Sequence, residues 1–441
     1  MTPTNPQSVV ILGGGPAGLT AAYRLIHHGY RVTIVDRGPA VGNALSGGDL
    51  QHAPDPFTIL GCHHATQALL HVLHPTPQQP EGTIIPLEFR LPDGSLVHYP
   101  RTAFPSPLHT WVNLLRFTGI PWKERWRLAS WVEQVWEGET ELPADLEQRT
   151  AADWLTSIGQ SGQTCRVVWN PLARWLTGND LGTISADAFV RSMKPVFLST
   201  HPDSRVSVLQ DSLLTRFIQP ITKVLIQGNA TILPNTEATQ LHYKQDRISG
   251  VLLRDGSLLQ ADWYITALPP QQLTPLLPER WLTRYAYFQQ LTELRSIDRT
   301  ILHLHAEQAC VSPRLVLLSG TAFHSVLVTS LTPDRTNFSL MTTDSQCAQT
   351  QPDSHLDSAI AELLRSCGLL MAESKIASTQ HRTVPNAILS LKPGTKLYRP
   401  IQRSPIANLL VAGSWTDTGW PPNLESAIVS GNRCADAIAL R

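Results

Sequence analysis

The chain has 441 residues, 42% of them hydrophobic and 16% charged, with 35 basic and 35 acidic side chains. That length exceeds one compact domain and that apolar share is ample for a large core, so two interleaved domains are expected. A sparse, balanced charge excludes a general polyanion-binding protein, and no nucleic acid partner is expected.

The amino-terminal stretch Met1 to Gln7 is polar, holds two prolines and lacks the apolar core of a secretory leader. Ser8-Val9-Val10-Ile11-Leu12 is then a short apolar run that enters Gly13-Gly14-Gly15-Pro16-Ala17-Gly18, a G-x-G-x-x-G turn. A helical segment follows from Leu19 to His28, and a second apolar run, Arg31 to Asp36, ends on an acid. Strand, turn, helix, strand and acid in register form a βαβ unit of dinucleotide type. Gly13 permits the tight turn, Gly15 admits a pyrophosphate, and Gly18 allows close helix–strand packing. The helix start offers free N–H groups and a positive dipole end to phosphates. Asp36 stands where a carboxylate binds ribose hydroxyls.

Two proline-rich stretches, His74 to Pro80 and Ser199 to Asp203, read as linkers. Between Pro105 and Thr177 the chain reads as helical: Leu108, Trp111, Val112 and Leu115 recur at i, i+3, i+4, i+7, and Trp122, Trp126, Ala129, Val132 and Trp136 continue the pattern. Eight of the twelve tryptophans lie between 111 and 175. They either fill a helical core or line a greasy boundary for an apolar ligand or membrane. Strand patterns follow at Thr231 to Leu233, Ala238 to Tyr243, Arg247 to Arg254, Ser257 to Gln260 and Ala261 to Ala267, then at Thr300 to His305, Arg314 to Leu318 and Ser325 to Ser330. His355 to Cys367 is an amphipathic helix. Asn408 to Gly413 is a buried strand, Ser414 to Asn423 a polar loop, and Leu424 to Leu440 a closing helix.

The six cysteines (62, 165, 310, 347, 367, 434) show no zinc or redox spacing and read as reduced thiols. The tightest histidine pairs, His63-His64 and His303-x-His305, have no third ligand in sight, so no metal is expected. No stretch of eighteen apolar residues occurs, so no helix is expected to span a membrane, while lying on one stays compatible.

The amino-terminal βαβ unit, the middle strands and the carboxy-terminal strand–helix together resemble the flavin-dependent amine oxidase and phytoene desaturase superfamily. Within it, the chain is most similar to the hydroxysqualene dehydroxylase family. Gly61-Cys62-His63-His64-Ala65-Thr66 resembles that family's Gly-Cys-Tyr-Arg-Ala-Thr, and Pro86 to Gly94 its short hairpin. Pro105 to His109 and Val168 to Leu172 resemble its helical region, and Trp415-Thr416-Asp417-Thr418-Gly419-Trp420-Pro421 its closing loop. The resemblance implies an α/β fold: a Rossmann-like FAD-binding domain of glutathione-reductase type (1–75, 205–270, 385–441) interleaved with an α+β substrate domain (76–204, 271–384). It implies FAD held by Gly13, Gly15, Pro16, Ala17, Gly18, Asp36 and Arg37, with Asn43 on the pyrophosphate flank and Ala238 facing adenine. Gly413 and Ser414 would meet the ribityl chain, and the helix start at Asn423, Leu424 and Ser426 would point at the flavin C2 oxygen.

The resembled reaction removes a hydroxyl from a C30 isoprenoid alcohol, which needs an acid near the leaving oxygen and apolar or aromatic walls. Asp417 and His52 are the candidates for the acid. Three positions depart from the superfamily pattern. Asn43 stands in place of an arginine, Ser414 in place of the aspartate of Ala-Gly-Asp, and Ser426 in place of a glycine. The expected partner is an apolar isoprenoid, with a peripheral contact at the inner face of a membrane and a cytoplasmic location. Two other readings stay open: desaturation of another polyisoprenoid, or a non-enzymatic prenyl-lipid carrier with weakened FAD binding. Amine oxidation ranks lower, because no covalent-flavin cysteine motif is present.

Overall fold

The computed structural model describes residues 6–42, 56–74, 82–137, 143–308, 312–343 and 354–440. Its centre is a five-stranded parallel sheet. Ser8–Leu12 lies in the middle, between Arg31–Val35 and Trp263–Thr266. Leu409–Val411 closes one edge and Thr231–Leu233 the other. Val9 to Leu12 are all buried, because helices cover both faces, as an apolar parallel strand requires. Helix Pro16–His27 starts at the carboxyl end of the first strand, and the closing helix Leu424–Ala439 packs against it closely enough that a Cβ on Gly431 would strike the Ala17 carbonyl oxygen.

A second, seven-stranded sheet is ordered Ile376–Leu389, Ser296–Ala306, Arg335–Thr342, Ser325–Thr332, Arg314–Leu317, Leu87–Arg90, Leu96–His98. Its pairs are antiparallel except Arg314–Leu317 with Leu87–Arg90. A half-buried bidentate pair, Arg314 to Glu88 at 2.7 and 2.8 Å, fastens that parallel join. Helices Leu108–Arg116, Trp122–Glu137, Ala151–Ser157, Asn170–Thr177 and Ala186–Phe197 form the tryptophan-rich region. A small antiparallel sheet joins Pro56–Leu60 and Thr83–Ile85 to Val206–Ser212 and so crosses the expected domain boundary at residue 75.

The predicted strands are present, most of them trimmed or extended by one or two residues. Ala261 to Ala267 narrows to Trp263–Thr266, whereas Thr300 to His305 lengthens to Ser296–Ala306. The segment Ser199 to Asp203 is a compact turn rather than a linker. The Asp203 carboxylate accepts from Ser199 Oγ (2.7 Å), Thr200 Oγ1 (2.6 Å) and Thr200 N (3.0 Å). The tryptophans divide: Trp154 and Trp169 are core, while Trp122 and Trp126 are about half exposed at 52% and 51%.

Candidate functional site

The first strand stops at Gly13, whose φ of +103° few side chains tolerate, and a Cβ there would lie 2.9 Å from the Ala267 carbonyl oxygen. A Cβ on Gly18 would overlap the carbonyl oxygen of Gly13, so the helix lies flush on the turn. Gly15 differs: no atom lies within 4 Å of its Cβ position. Pro16 fills the first helical position, the N–H groups of Ala17 and Gly18 have no acceptor a turn earlier, and no side chain caps this helix. The result is an open cradle of N–H groups at a positive dipole end, which fits a pyrophosphate.

Asp36 follows the second strand. Its Oδ2 accepts from Gly14 N and its Oδ1 from Gly38 N, both at 2.7 Å, and each oxygen keeps a further lone pair for a ribose hydroxyl. Asn235 N to Gly38 O (2.8 Å) and Thr236 N to Asp36 O (2.9 Å) draw the start of strand Ala238–Lys244 beside it, so Ala238 and Asp36 share one end of the sheet. Arg37 is exposed. Asn43 and His52 lie outside the described residues.

The closing loop is held from several sides. Gly413 N donates to Ser430 Oγ at 2.9 Å. Asn423 caps the last helix, its Oδ1 accepting from Ser426 N at 2.9 Å, and Leu424 is the first helical residue. Ser426 is fully buried and donates to the Ser414 carbonyl at 2.9 Å, with Thr418 Oγ1 2.7 Å away. Two of the departures, Ser414 and Ser426, thus meet each other.

Sequence reading missed two fasteners here. Arg399 donates to the carbonyls of Ser414, Trp415, Thr416 and Trp420 at 2.6 to 3.2 Å, and burial pulls its guanidinium down to about 10. Buried Glu425 accepts from Ala65 N (2.8 Å), Thr66 N (2.8 Å) and Thr66 Oγ1 (2.7 Å), tying the start of helix His64–Leu73 to the last helix. No local pattern marks either residue, because their partners are set by the loop and by a helix some 360 residues away.

Three cavities surround this loop and the helical region. The first, about 90 Å³, is almost wholly apolar, walled by Phe117, Trp131, Trp154, Trp169, Phe189 and Phe197 among others. The second, about 370 Å³, is polar and includes Asp187, Arg191, Lys396, Arg433 and Asp417. Asp417 Oδ1 accepts from Gly419 N at 3.2 Å, a loop-capping bond. The third, about 140 Å³, meets the last helix start at Asn423 and Leu424 and is walled by Leu60, His63, Trp175, Val196 and Trp420. Trp420 borders the second and third, so Asp417 and the helix start face different cavities. Helix Ala186–Phe197 turns Val190, Met193 and Phe197 to the first cavity and Ser192 and Val196 to the third.

The two adjacent histidines part company. His64 Nε2 lies 2.7 Å from Asp203 Oδ1. Burial opposes ionisation of Asp203, but bonds from Thr200, Ser199 and His64 outweigh it and hold the carboxyl at about 2. His63 is 7% exposed and meets Trp420 edge-on at 5.8 Å. Burial, with His64 adding, lowers His63 to about 4. Burial pushes the Cys62 thiol up to about 12, with Asp203 and Glu425 reinforcing it, so this is no thiolate nucleophile. His303 and His305 bond Ser339 and Ser378, and no metal-holding group occurs among the described residues.

A parallel sheet with a glycine cradle, a ribose acid and a second strand–helix at the same end defines a dinucleotide-dependent oxidoreductase. Residues 58–439 match the family of flavin-containing amine oxidoreductases, and 11–78 match an NAD(P)-binding Rossmann-like domain. The chain belongs to the flavin-containing amine oxidoreductase family, and its cofactor is FAD. It is 24% identical to a probable zeta-carotene desaturase of Synechococcus elongatus, over 98% of both chains. It is 23% identical to a 15-cis-phytoene desaturase of Solanum lycopersicum, over 99% of this chain and 78% of the relative. Among solved structures, a putative protoporphyrinogen oxidase of an Exiguobacterium species (TM-score 0.67, 15% identity) and a cyclohexylamine oxidase of Brevibacterium oxydans (0.68, 15%) share the fold, each over 99% of both chains.

Proposed function

We propose that this oxidoreductase acts on a polyisoprenoid, and that the reaction is the reductive dehydroxylation of hydroxysqualene to squalene. The observation that carries the substrate class is the apolar cavity walled by Trp131, Trp154 and Trp169, reached through helices that also border the flavin end. Its volume of about 90 Å³ is below the ~300 Å³ of the smaller drug-sized pockets, so a C30 chain requires these helices to part.

FAD, when bound, supplies hydride transfer. The N–H groups of Ala17 and Gly18 hold its pyrophosphate, and Asp36 its ribose. Asn423, by capping the last helix, fixes the dipole end that faces the flavin. Arg399 keeps the Ser414 to Trp420 loop from moving. The aromatic walls exclude water and tolerate developing positive charge. Asp417 and His52 are the candidate acids, and Gly13, Gly15, Pro16, Ala17, Gly18, Asp36, Arg37, Asn43, Ala238, Gly413, Ser414, Asn423, Leu424 and Ser426 the candidate FAD contacts.

Carotenoid-type desaturation is the second reading, favoured by the relatives named as zeta-carotene and phytoene desaturases. Purified protein should be yellow; a colourless protein that takes up no FAD would leave only a lipid carrier. Anaerobic incubation of dithionite-reduced holoprotein with hydroxysqualene should yield squalene and reoxidised flavin. Absence of both, with phytoene or zeta-carotene oxidised by the unreduced holoprotein, would replace the dehydroxylase by the desaturase.

The same reading places the exposed Phe104, Leu108, Trp122 and Trp126 against a membrane as the entry for lipid. No helix among the described residues is long and apolar enough to cross one.

A further inference from the structure

The cavity at the start of the last helix is greasy on most sides, with Leu60, Trp175, Leu176, Val196, Trp420 and Leu424 in its wall. Two of its polar side chains are already used. Ser192 Oγ donates to the Ala188 carbonyl at 2.7 Å, and Asn423 caps the helix. His63 is the residue of this wall with a buried polar atom left over. Its Nδ1 accepts from Leu60 N at 3.4 Å, which leaves the ring proton on Nε2. That Nε2 is buried and has no partner.

A buried N–H without an acceptor is costly, and a ligand that supplies the acceptor removes that cost. Protonation does not relieve it, because burial keeps the imidazole neutral at physiological pH. The wall therefore offers a long apolar ligand a buried, fixed and uncharged donor. We propose that His63 Nε2–H is the hydrogen-bond donor that holds the hydroxyl oxygen of an isoprenoid alcohol in this cavity. This rests on the dehydroxylase reading and adds to it the group that tells an alcohol from a hydrocarbon. A hydrocarbon leaves the donor unsatisfied, and an alcohol accepts from it, so the site discriminates on one oxygen atom.

The test is binding to oxidised, FAD-loaded protein without turnover, read as perturbation of flavin absorbance by hydroxysqualene and by squalene. His63→Phe and His63→Leu remove the donor, and His63→Gln keeps one. The readout is the ratio of alcohol to hydrocarbon affinity, which a change in stability leaves alone. Phe and Leu should lower that ratio about 10-fold or more and Gln should restore part of it. An unchanged ratio overturns the role of His63, and so does an equal loss for both lipids, which makes the ring a wall only. A shift of the unliganded flavin spectrum with the ratio intact gives the donor to the flavin and also overturns it. If wild-type protein binds neither lipid, the dehydroxylase reading falls as well. If it converts hydroxysqualene while the ratio ignores His63, only this proposal falls.

Discussion

Gly15 and Gly18 separate binding from folding at the scale of one residue. A side chain at Gly15 enters open space, whereas one at Gly18 meets the Gly13 carbonyl. Gly15→Val should therefore keep the melting temperature of the wild-type apoprotein and purify without FAD; retained yellow colour would refute the cradle. Gly18→Ala should cost about 1 to 3 kcal/mol of stability even without cofactor, read from urea midpoints of the apoprotein. The buried histidines set a pH dependence. His63 is lowered to about 4 by burial and His64, and His324 to about 3 by burial and Arg174. In the unfolded chain both titrate near 6.5, so below that pH the unfolded state binds more protons and stability falls as pH drops. About one unit above 6.5 that slope has vanished. Between pH 7.5 and 5 each should cost about 2 kcal/mol. A urea midpoint that stays level from pH 7 to 5 would rule out buried neutral imidazoles. Asp203, held at about 2, adds its loss only below the ordinary carboxylate range.

Between elements, Glu425 is the fastener. Its carboxylate accepts three bonds at the start of helix His64–Leu73, where a helix dipole also favours negative charge. Glu425→Gln turns an amide donor toward those N–H groups and should cost about 2 to 3 kcal/mol by urea unfolding, whereas an unchanged midpoint would show the helices held by packing alone. On the outer side, helix Trp122–Glu137 exposes Trp122 and Trp126 in its first turns, while Leu128, Trp131 and Val132 line the apolar cavity further along. Changing both exposed tryptophans to Ser should lower liposome flotation severalfold with folding intact, since Trp gains most at a lipid–water boundary. Equal flotation of variant and wild type argues against this entry. The βαβ unit was legible because its strands are apolar throughout and its glycines punctuate them. Pro56–Leu60 and Val206–Ser212 were not: the pairing that makes them strands spans about 150 residues of chain. Ile376–Leu389 hid behind Pro385 and a polar exposed face, and it is continuous only because Ser296–Ala306 runs beside it. His63 and His64 were legible as a pair but not as opposites; only the turn before helix His64–Leu73 sends one ring to Asp203 and the other to Trp420.

At the scale of the whole molecule, the two halves share one core. Val10, Leu12, Val35 and Tyr264 of the nucleotide sheet belong to the same buried cluster as Phe89 and Leu317 of the second sheet and Trp154, Trp169 and Phe189 of the helical region. The five-stranded sheet itself gathers strands from residues 8–12, 31–35, 231–233, 263–266 and 409–411, so no contiguous stretch of chain builds it. A core cut across both sheets cannot lose one side and leave the other packed, because the exposed apolar face and the new voids would both destabilise what remains. Calorimetry of the apoprotein should therefore show one transition for the whole chain. The proposed FAD contacts all belong to the nucleotide half, and a ligand that binds the folded state alone, at a hundredfold over its dissociation constant, adds about 2.7 kcal/mol to that state. Because the halves unfold together, this stabilisation should move the single transition upward as a unit, including the tryptophan fluorescence of the helical region far from the cradle. Two transitions, with FAD raising one and the tryptophan signal following the other, would mean that the substrate half folds independently and that the shared core is only an interface.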